Sequence, residues 1–216
     1  MKRIPYLIVI LVIGFCSSSL FSQEEATESN SVSLNALKIS PVQFGKSYFE
    51  LGFELGLKNQ KSSIQISPMV LLKRRNPNDQ FKGLQTEIQY RNYIKRIPLG
   101  ASQSKIVSDV DFYSGAYALG LTYQEDYIFY DYDPETQMEM ITEEERKIKA
   151  AEAGVFIGTR ITFGKKVILD LLAGGGVRYS EIDDTQENSY FYYGDVFDIG
   201  YYGIKPRLNL QLGIIL

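Results

Sequence analysis

The sequence predicts an all-β fold, a single antiparallel up-and-down transmembrane β-barrel of about eight strands after a cleaved N-terminal signal peptide. Apolar and polar residues alternate along many segments of the 216-residue chain. This period of two is that of a strand with two unlike faces. No segment after the N-terminus reaches the roughly 20 apolar residues that a membrane-spanning helix needs.

The N-terminus has the layout of a secretory signal peptide. Lys2 and Arg3 form a basic region, residues 6–15 are continuously apolar, and three consecutive serines follow. The apolar run is too short to span a bilayer comfortably, so we expect export and cleavage near Ser22.

Three segments follow from this assignment. Residues 1–22 form the signal peptide, residues 23–32 a short polar segment and residues 33–216 the barrel. An uncleaved anchor and a lipid-modified Cys16 are the alternatives. The bulky Phe15 before Cys16 is unlike the small residue that lipoprotein signals usually carry there.

Alternation is clearest in the second and the last predicted strands. Residues 48–58 read YFELGFELGLK, with Phe and Leu on one face and Glu, Gly and Lys on the other. Residues 205–216 alternate in the same way. The remaining predicted strands lie in residues 33–44, 63–72, 84–94, 113–121, 152–161 and 169–178. In the strand at 113–121 the apolar row is Tyr113, Tyr117, Leu119 and Leu121.

We expect the apolar face of these strands to contact lipid and the polar face to line the barrel. The apolar face carries hardly a charge, as lipid requires, whereas the polar face mixes Gly with balanced charges. The predicted lumen network comprises Glu50, Glu54, Glu87, Arg91, Glu152, Arg160, Asp170, Arg178, Lys205 and Arg207. A soluble lipocalin-like barrel, with its apolar face inward, is the alternative.

The connections predict which end of the barrel faces outward. Residues 164–166 form a short turn, whereas residues 124–149 and 180–201 form long connections of the kind that outer-membrane barrels display outside. The N-terminal half fits this rule less well, because residues 45–46 are brief for an outer loop and residues 96–111 long for an inner turn.

The connection at residues 124–149 is rich in acidic side chains. The stretch DYDPE, residues 131–135, spaces oxygen ligands in a way that suits calcium, but it lacks the Gly and the distal Glu of an EF-hand loop. A solvated acidic loop is the preferred interpretation.

The connection at residues 180–201 is aromatic. Its aromatic group comprises Tyr190, Phe191, Tyr192, Tyr193 and Phe197. Two interpretations stand: an interfacial girdle packed over the barrel mouth, or a surface that docks a partner or a sugar.

Four segments resemble the recurrent strands of small outer-membrane β-barrel proteins of unassigned function from Gram-negative bacteria. They are NALKISP (35–41), KSYFELGFE (46–54), VILDLLAGGGVR (167–178) and KPRLNLQLG (205–213). The resemblance covers most of residues 35–216 and implies the architecture without a mechanism. Such barrels usually end in an aromatic residue, whereas this chain ends in Leu216.

The composition excludes several classes of catalytic and metal site. Because the chain has no His, Ser-His-Asp, Asp-His and His–metal sites are excluded. Glu50 and Glu54 lie about 13 Å apart along a strand, too far for paired-carboxylate catalysis. We therefore predict no enzyme, catalytic residue, cofactor or metal, and the net charge of −3 gives no basis for nucleic acid binding.

These features predict a structural or interaction role in the cell outer membrane. The expected partners are outer-membrane lipid and, through the long loops, other envelope proteins or surface glycans. The alternative is a small transport or ligand-binding barrel with a partly open lumen.

Overall fold

The computed structural model describes residues 34–44, 48–58, 61–76, 79–99, 107–133, 138–164, 166–184 and 200–216. At residues 72–76, 79–81, 126–133, 138–144 and 184 it describes the backbone. The predicted signal peptide, residues 1–22, and the polar segment, residues 23–32, lie outside the described residues. No helix in the described part of the chain is long and apolar enough to cross a membrane.

Eight strands form one antiparallel sheet in sequence order, and β1 pairs with β8 to close it into a barrel. The strands are β1 Ala36–Ile39, β2 Tyr48–Gly56, β3 Ser62–Asn76, β4 Asp79–Pro98, β5 Val107–Asp133, β6 Met138–Phe163, β7 Val167–Asp184 and β8 Gly203–Ile215. The predicted eight-stranded, up-and-down, all-β architecture is confirmed. The first predicted strand is shorter than expected, because a four-residue helix, α1 (Pro41–Phe44), follows β1.

The two ends of the barrel differ in how far the sheet extends. At one end, called the turn end, Gly164 adopts a φ of 54° and lets the chain reverse between β6 and β7. At the opposite end, called the hairpin end, β5 and β6 continue together to the pair Asp133 and Met138.

The alternation assigned faces to the seven strands β2–β8, and the exposed and buried side chains agree with it in all of these strands but β5. On β2, Phe53 is 43% exposed whereas its neighbour Glu54 is 1% exposed. On β8, Leu208 is 80% exposed whereas Asn209 is 5% exposed. The apolar rows therefore form the outer wall, and the polar rows point into the lumen.

The prediction for β5 is wrong, because its apolar row points inward. Tyr113, Tyr117, Leu119 and Leu121 are buried, whereas small residues such as Ala118 and Gly120 lie on the outer wall. The tyrosines behave as amphipathic side chains: the ring packs inside, and the hydroxyl needs a hydrogen-bond partner, which the lumen carboxylates supply.

The predicted long loop at residues 124–149 is also wrong, because most of it is strand. β4 pairs with β5 as far as Asp126, and β7 pairs with β6 as far as Arg146. Beyond these residues β5 and β6 pair with each other, forming a two-stranded extension, residues 127–133 and 138–144, called the ribbon. The sequence YIFYDY has high β propensity, which the acidic residues around it obscured.

The wall between β6 and β7 depends on glycine. Gly154 pairs with Gly176, and a Cβ on Gly154 would lie 2.2 Å from the carbonyl oxygen of Gly175. A Cβ on Gly120, on the outer wall of β5, would meet nothing within 4 Å. The two glycines therefore provide a test of close backbone approach.

We predict that Gly154→Ala destabilises the barrel by about 1–3 kcal/mol, because the backbone of β7 must move. Urea unfolding in detergent micelles measures this loss. Gly120→Ala is the control, and its effect should stay within about 0.5 kcal/mol. Equal effects of the two substitutions would contradict the close approach of β6 to β7.

Candidate functional site

The interior of the barrel is mainly polar. Among the described residues, twenty polar or charged side chains are buried, against fourteen apolar ones. Soluble proteins rarely bury Lys, Arg, Asp or Glu fully unless these groups are paired. The partners of these charges therefore decide what the lumen does.

Five charged residues from five different strands meet in a central cluster: Lys38, Glu54, Arg91, Arg160 and Asp170. Lys38 Nζ lies 2.5 Å from Glu54 Oε2 and also bonds Asp170. Arg91 Nη1 lies 2.5 Å from Asp170 Oδ2 and 3.6 Å from Glu54 Oε2. Arg160 donates to the same oxygen of Glu54. The cluster therefore ties opposite walls of the barrel together.

Neutral groups complete the central cluster. Glu54 Oε1 accepts hydrogen bonds from Tyr93 at 2.6 Å and from Ser63 at 2.5 Å, while Tyr113 donates to Asp170. Arg91 stacks 4.8 Å from the ring centre of Tyr113, and Arg160 lies 5.0 Å from that of Tyr93. Cation–π contacts of this kind stabilise guanidinium groups that have left water.

Two further ion pairs lie on the hairpin side of the central cluster. Arg207 on β8 bonds Glu87 on β4, across the ring, and stacks 4.7 Å from the centre of Tyr117. Arg178 and Glu152 are register partners on β7 and β6, with Nη2 2.6 Å from Oε2. The Tyr117 hydroxyl donates to the other oxygen of Glu152 at 2.6 Å.

Glu50 is bound differently, by side-chain amides. Gln211 Nε2 donates to its carboxylate at 2.7 Å, and Asn209 Nδ2 lies 3.3 Å away. Lys205 lies on the same inward row of β8 and is half-buried. The ten predicted lumen residues thus all lie on the inner face, where amide and tyrosine side chains supplement the ion pairs between them.

Several members of the network escaped the sequence-based prediction. Lys38 lies between the apolar residues Leu37 and Ile39, an alternation that is typical of an inward-pointing charge. The rest of segment 33–44 does not alternate regularly, so the pattern did not identify Lys38. Two register pairs were also missed: Arg96 with Asp111, 2.6 Å apart, and Arg146 with Glu125, 3.4 Å apart. They lie in segments that were predicted to be connections.

The two predicted loop features lie where no side chain is described. The aromatic group from Tyr190 to Phe197 falls outside the described residues, and at residues 131–133 the structure describes the backbone. Within the described residues, no group of three or more acidic, Cys or His side chains is placed to hold a metal ion.

The fold and the interior define the class of protein: an eight-stranded antiparallel barrel with a polar, ion-paired interior and an apolar outer wall. Comparison of the chain with protein-family models, with curated proteins and with solved structures found no match.

We predict that Glu54→Gln lowers the free energy of unfolding in detergent by about 3–5 kcal/mol, because Lys38, Arg91 and Arg160 all lose a carboxylate partner. Asp170, which contacts Lys38 and Arg91, is then the remaining carboxylate of the central cluster. Chemical denaturation measures the loss. If the variant does not fold, Lys38→Met in the same background should partly restore folding by removing the excess charge.

Glu145→Gln is the matched control for this prediction. Glu145 pairs with Lys147 at 2.8 Å, but the two side chains are 45% and 56% exposed. Exposed ion pairs contribute about 0–1 kcal/mol. A similar loss in both variants would show that the central cluster does not stabilise the barrel.

Proposed function

We propose that this protein is an outer-membrane β-barrel that serves as a rigid platform, with the ribbon and the β7–β8 connection displayed outside the cell. The observation that supports this most is its inverted distribution of side chains. Within the described residues, 28 large apolar side chains are exposed, while charged residues such as Arg91, Arg160 and Glu54 are fully buried.

In water this distribution would be unfavourable. Soluble monomers seldom expose contiguous apolar patches of more than a few hundred Å². A hydrocarbon environment removes the difficulty, because the outer wall then contacts acyl chains and the closed ring satisfies its own backbone hydrogen bonds. An open apolar groove of about 670 Å³ on this wall, lined by residues such as Ile94, Ile157 and Leu208, suits acyl chains as well.

The dimensions of the outer wall support the proposal. On β7 the outward row from Val167 to Val177 spans eleven residues, and transmembrane strands have about 9–11. At the hairpin end of this row, Tyr179 and Tyr202 stack edge to face with ring centres 5.7 Å apart, each 59% exposed. Exposed aromatic pairs at the end of an apolar band are typical of interfacial girdles.

We infer the direction of insertion from how far the strands extend at each end of the barrel. β1 begins and β8 ends at the turn end, whereas β5 and β6 extend furthest at the hairpin end. Outer-membrane barrels keep short turns inside and extended connections outside. The hairpin end with its ribbon therefore faces the cell exterior in this proposal, and the basic and apolar N-terminus supports export.

The packed interior favours an interaction role over a transport role. Eight-stranded barrels have a lumen just wide enough for side chains to fill. Here ion pairs such as Arg207 with Glu87 cross that space. We therefore propose that the barrel does not conduct and that its function resides in what it displays at the hairpin end.

We predict that Leu208→Arg strongly impairs recovery of the heat-modifiable barrel from outer-membrane fractions. A charge at mid-membrane costs about 2–4 kcal/mol, whereas near the interface the cost falls to about 0–1 kcal/mol. Tyr202→Arg, at the rim of the same wall, is the control and should assemble normally. In a soluble barrel Leu208→Arg would be harmless, since this side chain is 80% exposed.

A further inference from the structure

We propose that the free edge of β5 in the ribbon, residues 127–133, binds an extended, lysine- or arginine-rich polypeptide as an added strand. The inference rests on the proposed function, because it requires the ribbon to stand outside the membrane. It adds the chemistry of the partner and the mode of binding.

In the described part of the chain, β4 stops short of this edge of the ribbon. Residues 127–133 pair with β6, while β4 begins at Asp79 and its pairing with β5 stops at Asp126. Only residues 77 and 78 connect β3 to β4 on that side. Among the residues that the structure describes, no third strand pairs with this edge, whose seven residues extend about 24 Å.

The composition of this edge favours strand addition. Tyr, Ile and Phe make up most of residues 127–132, and these residue types have high β propensity. A long, apolar edge strand is a template for pairing with another chain. Peptides that add to such an edge gain affinity from main-chain hydrogen bonds.

The negative charge of the ribbon favours a partner with basic side chains. Residues 127–144 contain six acidic residues and no Lys or Arg. A second copy of the ribbon would bring like charges together at the shared edge, which disfavours self-association. A partner must therefore offer an extended backbone and a positive charge. An extended segment with alternating basic side chains does so, because its backbone can pair with the edge and its charges complement the acidic residues.

Binding of a synthetic peptide to the purified, detergent-solubilised full-length protein tests the inference. The probe is a fluorescent peptide of about ten residues in which Lys alternates with Val or Thr, measured by fluorescence anisotropy. The same peptide with alternate backbone amides N-methylated keeps the charge but loses the donors of a strand. We expect the N-methylated peptide to bind at least about ten-fold more weakly.

Two protein variants locate the site. Asp131→Lys combined with Asp133→Lys should weaken binding of the probe at least about ten-fold, because both lie on the edge. Glu181→Lys, an exposed acid on β7 away from the ribbon, should leave binding unchanged. Amide hydrogen exchange should slow at alternate residues of 127–133 when the probe binds.

Three outcomes would overturn the inference. They are equal binding of the N-methylated peptide, no binding of the probe, or protection in the free protein of those alternate amides of residues 127–133 that do not pair with β6. If these amides are already protected, the molecular mass of the purified protein would show whether this chain itself or a second copy of it covers the β5 edge. A barrel that shows heat-dependent mobility in membrane fractions but does not bind the probe contradicts this inference alone. Absence from those fractions contradicts the proposed function.

Discussion

Closure of eight strands into a ring is the constraint on which the rest of this structure depends. An eight-stranded ring has an interior that side chains can fill, so the polar side chains that point inward depend mainly on one another for hydrogen bonds and ion pairs. Glu54 shows the result, since its two oxygens receive hydrogen bonds or ion pairs from Lys38, Arg91, Arg160, Tyr93 and Ser63. Removing one partner from such a network leaves a buried charge, which costs more than the pair itself gains.

The same closure explains the wall around the lumen. Bulky inward groups such as Tyr113 and Phe156 need room, and Gly158 and Gly174 provide it where a Cβ would overlap those side chains. Side chains at the outward positions do not have to fit inside the ring, and many of them are Ile, Leu, Val and Phe. The polar side chains of most strands point into the lumen, so the outer wall consists mainly of apolar side chains. This apolar outer wall is the physical basis for proposing a lipid environment. The ribbon is the part of the sheet that leaves the ring, and among the described residues no further strand pairs with its β5 edge.

Sequence alone predicted the strand number, the barrel and the faces of most strands, because a period of two specifies which residues share a face. It failed at β5, where tyrosine counts as apolar in the pattern but uses its hydroxyl inside the lumen. It also failed at the ribbon, where acidic residues predict a loop although the β5–β6 register continues through them. The lumen residues were predictable one by one, whereas their partners were not, because Lys38, Glu54 and Asp170 lie far apart in sequence and only closure of the ring brings them together.

The orientation of neighbouring side chains in a lipid bilayer tests the central claim most directly. The chain contains no Trp, so a single introduced Trp reports its own surroundings. Ile157 lies on the outer wall, 68% exposed, and the adjacent Phe156 points inward, 3% exposed. In vesicles whose acyl chains carry bromine, fluorescence of Ile157→Trp should be strongly quenched and that of Phe156→Trp should be largely unaffected. Quenching of Phe156→Trp with an unquenched Ile157→Trp, or no quenching of either, would contradict an apolar outer wall in contact with lipid.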